Sequence, residues 1–209
     1  METESGSQRA PGAVLGVILA GGLSSRMGRE KAFVELGGRP LLAHVVERFG
    51  PQVDRLALNA NGDAARFAPF GLPVEPDRHG DNPGPLAGVA VAIALARRDG
   101  YSVVATCPSD APFLPLDAVA RLRDALTAEM DVAIAGGPNG LEPLFGLWRV
   151  RAGPAVEAAL AEGRRAVHRV LAGLAHRIVP FPAGDGPDPF CNLNTPEELS
   201  AAQALLASQ

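Results

Sequence analysis

The sequence has 209 residues, of which 47% are hydrophobic, and its formal net charge is −4. A chain of this length and composition can bury a core of its own, and its charge does not supply the basic face that nucleic-acid binding requires. Its longest apolar runs, such as residues 86–96, are too short to cross a membrane, and two distant cysteines without a Cys-x-x-Cys motif indicate neither a disulfide framework nor a zinc site. We therefore expect a cytoplasmic protein.

Apolar, strand-like runs alternate with helical patterns along most of the chain. We predict strands over 14–20, 53–59, 72–75, 101–107 and 131–135, and helices over 41–49, 86–98 and 116–129. This alternation favours a mostly parallel sheet with helices on both faces, that is, a three-layer α/β domain. Beyond residue 140 we predict strands over 142–150 and 177–181, helices over 153–162 and 165–172, and a last helix capped by Thr195. Residues 1–12 are expected to form a flexible tail, and 13–209 a single domain.

The segment after the first strand carries the most informative motif, Val17-Ile-Leu-Ala-Gly-Gly-Leu-Ser-Ser-Arg-Met-Gly-Arg-Glu-Lys31. A glycine-rich turn lets backbone N–H groups converge on an anion, and the cations Arg26 and Lys31 can neutralise a polyphosphate. The motif is neither a Walker A loop nor a Gly-x-Gly-x-x-Gly fingerprint. The alternative is an ordinary strand–loop–helix junction with solvated charges.

Polar residues follow the other predicted parallel strands at their carboxyl ends, where α/β sheets bind ligands. They are Asn59, Asp77 and Asp110. Asp110 lies in a corner between two prolines and has the hard oxygen that Mg²⁺ prefers, although its charge could instead complement the following helix. Asp77 has a weaker case, because neighbouring carboxylates share its stretch.

Three further segments are candidates for substrate contacts. Gly84-Pro-Leu-Ala-Gly88 offers a nearly side-chain-free approach to a base or sugar, or is a loop stiffened for folding. Asn192 and Asn194 alternate along one segment, so they could bind phosphate, join the metal shell or only form a turn. Arg164 and Arg165 could meet an anionic second substrate or remain a solvated turn.

These motifs, in this order and spacing from about residue 14 to 205, resemble those of molybdenum cofactor guanylyltransferases in the nucleotidyltransferase superfamily. The resemblance implies a Rossmann-like nucleotidyltransferase domain that transfers GMP from GTP to molybdopterin. It implies Mg²⁺ at Asp110 and catalytic roles for Arg26, Lys31 and Asp110. It also implies that GTP contacts the following residues: Leu19, Ala20, Gly21, Gly22, Lys31, Asn59, Asp77 and Asp110.

Two departures and two alternatives accompany the resemblance. Pro108-Ser-Asp-Ala-Pro112 replaces the more usual Pro-Cys-Asp-Thr-Pro, and Glu142-Pro143 stands where His-Pro is familiar. The chain could instead be another nucleotidyltransferase, forming a cytidylyl-pterin or an NDP-sugar, or a non-catalytic molybdopterin or nucleotide carrier. A molybdoenzyme or a chaperone is the expected protein partner, and neither a nucleic acid nor a membrane is expected.

Overall fold

The structure, a computed structural model, describes residues 10, 12–21, 31–78, 84–183, 188–191, 193 and 195–207. Its strands are β1 Val14–Leu19, β2 Glu35–Leu36, β3 Arg39–Pro40, β4 Arg55–Asn59, β5 Val74–Glu75, β6 Val103–Pro108, β7 Val132–Gly137, β8 Gly140–Arg149 and β9 His176–Pro180. Its helices are α1 Leu41–Phe49, α2 Pro85–Arg98, α3 Ala118–Ala125, α4 Gly153–Ala161, α5 Val167–Leu171 and α6 Pro196–Ala207. Within the described ranges, no helix combines the length and apolar character needed to cross a bilayer.

Seven strands form one sheet in the order β5-β4-β1-β6-β8-β7-β9. All neighbouring pairs are parallel except those of β8, which runs antiparallel to both β6 and β7. The prediction of a mostly parallel sheet is therefore confirmed. The carboxyl ends of β5, β4, β1 and β6 lie next to one another, and we call this margin the carboxyl edge.

Strand β1 is central because side chains on both of its faces are buried. Leu15 and Val17 pack against the α2 side, whereas Val14 and Ile18 pack against the α1 side. Between them Gly16 admits a close approach, because a Cβ there would lie 2.8 Å from Val53 Cγ2 and 3.1 Å from Phe49 Cε1. Burial on both faces explains the uninterrupted apolar run in the sequence.

Helices cover both faces of the sheet, as predicted. Side chains of α1 and α3 enter one core, and side chains of α2, α4 and α5 enter the other. Strands β2 and β3 form a separate hairpin, in which Gly37 and Gly38 take φ of 59° and 75°. Helix α6 packs on this hairpin, and a Cβ on Gly37 would lie 2.6 Å from Leu206 Cδ2. The hairpin was not predicted, because two-residue strands are too short to show a periodic pattern.

The predicted element bounds hold closely, with one larger error. Helix α1 has the predicted bounds, but the helix predicted over 116–129 extends only over Ala118–Ala125. The helix ends because Leu126 leaves the helical region (φ −83°, ψ 68°). Arg149 then donates to the Leu126 and Thr127 oxygens and Arg151 to the Ala128 oxygen. The predicted cap of α6 is confirmed: the Thr195 amide donates to Glu198 Oε2, and the Glu198 amide donates to Thr195 Oγ1.

Candidate active site at the carboxyl edge

The strand register aligns the predicted nucleotide residues across the carboxyl edge. Leu19, the last residue of β1, pairs with Asn59 of β4 on one side and with Pro108 of β6 on the other. The ladder continues one residue further, because the Ala20 amide donates to the Asn59 oxygen (2.7 Å) and the Ser109 amide to the Leu19 oxygen (3.1 Å). Ala20, the first residue after β1, is thus held between the ends of β4 and β6.

Asn59, Asn61 and Asp77 form one hydrogen-bonded cluster beside Gly21. Asn59 Nδ2 donates to Asp77 Oδ1 (2.9 Å) and to the Glu75 carbonyl (3.1 Å), and Asn61 Nδ2 donates to Asp77 Oδ2 (2.8 Å). The Asp77 amide in turn donates to Asn61 Oδ1 (2.9 Å). These bonds fix the orientation of the Asp77 carboxylate. Sequence analysis selected Asn59 and Asp77 but gave Asn61 no role.

Asn59 has a buried acceptor that receives no hydrogen bond from the described residues. The residue is 1% exposed, and both hydrogens of its Nδ2 are used, so its Oδ1 must face the opposite direction. Within the part of the chain that the structure describes, no hydrogen bond reaches this oxygen. Because an unpaired buried acceptor costs free energy, Asn59 Oδ1 is suited to receive an N–H group from a ligand.

Two glycines contact this cluster closely. A Cβ on Gly21 would lie 3.3 Å from Asp77 Oδ2, and a Cβ on Gly88 would lie 2.8 Å from Asn59 Oδ1. The glycines of the Gly84–Gly88 segment therefore face protein atoms: Gly84, with φ of 74°, lies where a Cβ would be 2.8 Å from Arg165 Cβ. Close packing against protein atoms therefore gives a reason for these glycines. It differs from the reason suggested by the sequence, which was the close approach of a ligand.

Lys31 and Asp110 form an ion pair at the same edge. Lys31 Nζ lies 2.7 Å from Asp110 Oδ2, and the two side chains are 26% and 11% exposed. Lys31 is the one lysine in the whole sequence. The Asp110 carboxylate therefore has a cationic side chain as its partner, rather than only complementing the helix that follows. Burial raises the pKa of the Cys107 thiol, and the negative charge of Asp110 raises it further.

The corner that carries Asp110 is held from the side of α1. Arg48 Nε donates to the Leu114 carbonyl (2.6 Å), and Gln52 Nε2 donates to the Pro115 carbonyl (2.9 Å). Gln52 Oε1 also accepts the Val119 amide (2.9 Å) and so caps the start of α3, where Asp117 provides no side-chain cap. Sequence reasoning missed both residues, because their partners lie more than sixty positions away.

The two arginines of the 164–165 turn differ in position. Arg164 is paired with Glu162 on the exposed turn, and within the described ranges no hydrogen bond or ion pair joins its side chain to another candidate residue. The carbonyl of Arg165 accepts the Leu86 amide (3.2 Å), which brings this residue to the beginning of α2. The structure thus connects Arg165, but not Arg164, with the Gly84–Gly88 segment.

An acidic group lies further along the edge, beyond β6. In β8 the pairing shifts between Glu142 and Gly146, so residues 143–145 form a bulge directly after Glu142. Burial, reinforced by the charge of Asp188, raises the pKa of Glu142 to about 7. Asp188 itself accepts from Asn139 Nδ2 and from the Phe190 amide. The sequence showed Glu142 only as a departure from the family motif.

Metal binding at this edge would depend on Asp110. The described ranges contain no group of three or more histidine, cysteine, aspartate or glutamate residues arranged to hold an ion. Mg²⁺ often takes only one or two carboxylates and completes its octahedron with water and substrate phosphates. A single half-paired carboxylate beside a glycine turn therefore fits a metal that is shared with a phosphorylated ligand. Four further candidates, Gly22, Arg26, Asn192 and Asn194, lie outside the described residues.

Fold and site together define a nucleoside-triphosphate transferase domain. The sequence model of the MobA-like NTP transferase domain family matches residues 16–178. A solved structure titled molybdopterin-guanine dinucleotide biosynthesis protein A, from Archaeoglobus fulgidus, superposes with a TM-score of 0.74 at 24% identity, covering 94% of this chain and 100% of that one. The predicted α/β fold is thereby confirmed.

Curated relatives make the assignment narrower. A molybdenum cofactor guanylyltransferase of Rhizobium meliloti (strain 1021) is 44% identical over 197 residues, which cover 91% of this chain and 90% of that protein. One of Rhodopseudomonas palustris (strain BisB5) is 44% identical over 194 residues, or 90% and 92% of the two chains. The chain therefore belongs to the molybdenum cofactor guanylyltransferase family, as its motifs predicted.

Proposed function

We propose that the protein is a guanylyltransferase that transfers GMP from GTP to the terminal phosphate of molybdenum-bearing molybdopterin and releases pyrophosphate. The observation that carries this proposal is the Lys31–Asp110 pair at the carboxyl edge, in a chain whose relatives are named for the reaction. A carrier would need affinity for nucleotide but has less need of a buried carboxylate and a cation directed at the phosphates.

The nucleotide would lie across the ends of β4, β1 and β6. The backbone of Leu19, Ala20, Gly21 and Gly22 would approach it, with Arg26 and Lys31 next to its phosphates. Asn59 Oδ1, buried and without a partner in the described part of the chain, would accept an N–H of the nucleoside. Asp77, oriented by Asn59 and Asn61, would accept further donors of the base or the sugar.

Mg²⁺ would be held by Asp110 together with the phosphates of GTP. When bound, the ion supplies positive charge to the triphosphate and to the pyrophosphate that leaves. Asp110 is suited to this role because its corner is held by Arg48 and Gln52. Lys31, which contacts the same carboxylate in the structure, would supply a second positive charge to the phosphates.

The reaction joins two anions, so charge neutralisation is the main task of the protein. An oxygen of the molybdopterin phosphate attacks the α-phosphorus of GTP, and the bond from that phosphorus to the pyrophosphate oxygen breaks, with its electron pair going to pyrophosphate. A phosphate monoester has a second pKa of about 6 and is largely dianionic at neutral pH. The attacking oxygen therefore needs no general base, and Lys31 and Arg26 serve by balancing charge.

The acceptor would approach from the side of β8 and α2. Arg165 at the start of α2 is the candidate contact for an anionic part of molybdopterin, and Asn192 and Asn194 are candidates for its phosphate or the metal shell. Arg164 remains the weaker candidate, because it already pairs with Glu162. The start of α2 also borders Asn59 through Gly88, so the two substrates would lie next to each other and meet near Asp110.

Pyrophosphate release tests the proposal. Purified protein is given molybdopterin, Mg²⁺ and each of GTP, CTP, ATP and UTP in turn, and pyrophosphate and the dinucleotide product are measured. We expect release with GTP that depends on molybdopterin. Preferred turnover of CTP would indicate a cytidylyltransferase, and nucleotide binding without release would indicate a carrier; either result would refute guanylyl transfer.

The compartment and the protein partners follow from the same proposal. Both cysteines, Cys107 and Cys191, are free thiols, which suits the reducing cytoplasm, where GTP is available. The dinucleotide product would pass to a molybdoenzyme or to its chaperone, and a pull-down with the loaded protein would test that transfer.

A further inference from the structure

The Lys31–Asp110 pair places a cation where the proposed metal would bind. The ammonium nitrogen lies 2.7 Å from Asp110 Oδ2 and so occupies one of the two carboxylate oxygens. With side chains 26% and 11% exposed, this pair is shielded from water more than the surface pair of Arg39 and Glu47, whose side chains are 51% and 63% exposed. Screening by solvent and salt is correspondingly weaker.

The backbone of Lys31 is held in place, whereas its ammonium group is carried on a flexible stem. Lys31 begins a 3₁₀ turn, Lys31–Phe33, in which Ala32 is buried and the Phe33 ring packs at a tilt against Phe67, with the ring centroids 5.2 Å apart. Its backbone is therefore anchored. The four-carbon stem of lysine still allows the ammonium group to move by several ångströms between neighbouring anions.

The carboxylate it contacts is a poor metal site when alone. Within the described ranges no other histidine, cysteine or carboxylate side chains complete a set of three ligands with Asp110. Mg²⁺ loses its water reluctantly and requires near-octahedral oxygen ligands. A divalent ion that approached Asp110 without nucleotide would thus gain one carboxylate and meet the charge of Lys31 beside it.

We propose that Lys31 acts as a placeholder for the metal: in the absence of nucleotide it neutralises Asp110 and excludes divalent ions, and it moves to the phosphates when GTP and the metal enter together. The exchange leaves each charge compensated, because the metal replaces Lys31 at Asp110 while the triphosphate receives the ammonium group. Metal and nucleotide would then bind in a coupled step, not independently. The movement of Lys31 to the phosphates of GTP rests on the proposed function, whereas the exclusion of divalent ions does not.

Metal binding without nucleotide tests the exclusion directly. Mn²⁺ serves as the probe, and its unbound fraction is measured by electron paramagnetic resonance for the wild type and the variants Lys31→Met, Lys31→Arg and Asp110→Asn. We expect Lys31→Met to bind Mn²⁺ at least tenfold more tightly than the wild type. Lys31→Arg, which keeps the charge, should resemble the wild type, and the double variant Lys31→Met/Asp110→Asn should lose the added affinity.

A matched control and a fold check accompany these measurements. Glu47→Gln removes a carboxylate from an ion pair of the same 2.7 Å length whose side chains are both exposed, and it should leave Mn²⁺ affinity unchanged. Circular dichroism melts show whether Lys31→Met is folded. If that variant is folded and binds Mn²⁺ no more tightly than the wild type, the placeholder role is refuted, whatever the enzyme transfers.

The single lysine allows a second readout. Reductive ¹³C-methylation labels only the Lys31 side chain and the N-terminal amine, and dimethylation keeps the positive charge. We expect the Lys31 signal to shift when GTP and Mg²⁺ are added together and to stay in place with millimolar Mg²⁺ alone. An equal shift with Mg²⁺ alone would overturn the inference. Metal exclusion without any response to GTP would instead refute the nucleotide role and leave the exclusion standing.

Discussion

Gly88 lies so close to Asn59 that a Cβ at position 88 would be 2.8 Å from Asn59 Oδ1. Gly88 is in the first turns of α2 and Asn59 is the last residue of β4, so this contact fixes how closely the helix approaches the strand end. The amide of Asn59 in turn orients Asp77. The glycine thereby determines the position of two proposed nucleotide contacts without itself needing to touch the ligand.

We expect Gly88→Ala to weaken GTP binding more than it weakens folding. The new methyl group displaces Asn59 Oδ1, while alanine offsets part of the cost through its better helix propensity, by about 1 kcal/mol. The KM for GTP should rise at least ~10-fold, equivalent to about 1.4 kcal/mol. Gly50→Ala is the matched control, since a Cβ there makes an ordinary 3.7 Å contact with Leu56. Equal KM values in the two variants would contradict the role given to Gly88.

Loss of either partner of the Lys31–Asp110 pair should abolish most of the transfer activity. Removal of one preorganised charge contact costs ~2.7–4 kcal/mol of barrier, roughly a hundredfold to a thousandfold in rate. We expect Lys31→Ala and Asp110→Ala each to lower guanylyl transfer by about this factor while circular dichroism spectra stay native. Turnover is measured as pyrophosphate release, with Glu47→Gln as the control. Near-normal rates in either alanine variant would show that the site lies elsewhere.

Local sequence signals were sufficient for the elements and for grouping the proposed nucleotide contacts at one edge of the sheet. Leu41–Phe49 has an apolar face at helical spacing, and the runs that became β1 and β6 are apolar throughout, so both kinds of element were readable. Because parallel strands end at the same edge, Asn59, Asp77 and Asp110 could be grouped from their positions after strands. The structure brings Asn59 and Asp77 into contact.

Contacts between segments that are distant in the sequence could not be predicted from it. The segment after α3 bonds to the guanidinium groups of Arg149 and Arg151, and no local pattern in residues 116–129 shows these partners. The pKa of Glu142 depends on its burial and on the charge of Asp188, a residue that follows β9 in the sequence. The Gly37-Gly38 dipeptide is typical of a hairpin turn, but the two-residue strands on either side are too short to be predicted from a sequence pattern.

Glu142 should make stability fall as pH rises. Its ordinary pKa of 4.5 is raised to about 7 in the folded protein, so the folded state binds more protons than the unfolded state between these values. The penalty is therefore absent below pH 4.5, grows up to about pH 7 and is complete above it. Glu142→Gln removes the penalty, and the variant should exceed the wild type by about 1–2 kcal/mol above pH 7, after allowance for solvent screening.

Urea unfolding from pH 4 to 8 measures this difference in the free energy of unfolding. Glu47→Gln is the comparison variant, because the stability contribution of Glu47 changes with pH in the opposite direction. The hydrogen bond and charge of Arg39 lower the pKa of Glu47 below 4.5, so its contribution is present above that pH and is lost in acid. The difference between Glu142→Gln and wild type should widen with rising pH, and Glu47→Gln should be less stable than wild type at neutral pH. A difference for Glu142→Gln that does not vary with pH would contradict the raised pKa.

Gln52 is expected to stabilise the Asp110 corner through three hydrogen bonds made by one side chain. Its Nε2 donates to the Arg48 and Pro115 carbonyls, and its Oε1 accepts the Val119 amide. Gln52→Leu keeps the bulk but leaves the Pro115 oxygen and the Val119 N–H without this partner, which should cost about 1–3 kcal/mol and lower the melting temperature by about 5 °C. Gln52→Glu should lose at least as much, because its second carboxylate oxygen would face the Arg48 and Pro115 carbonyl oxygens at the position that Nε2 now holds. Calorimetric melts of both variants give the comparison, and a Gln52→Leu melting temperature equal to that of the wild type would show that these hydrogen bonds contribute nothing.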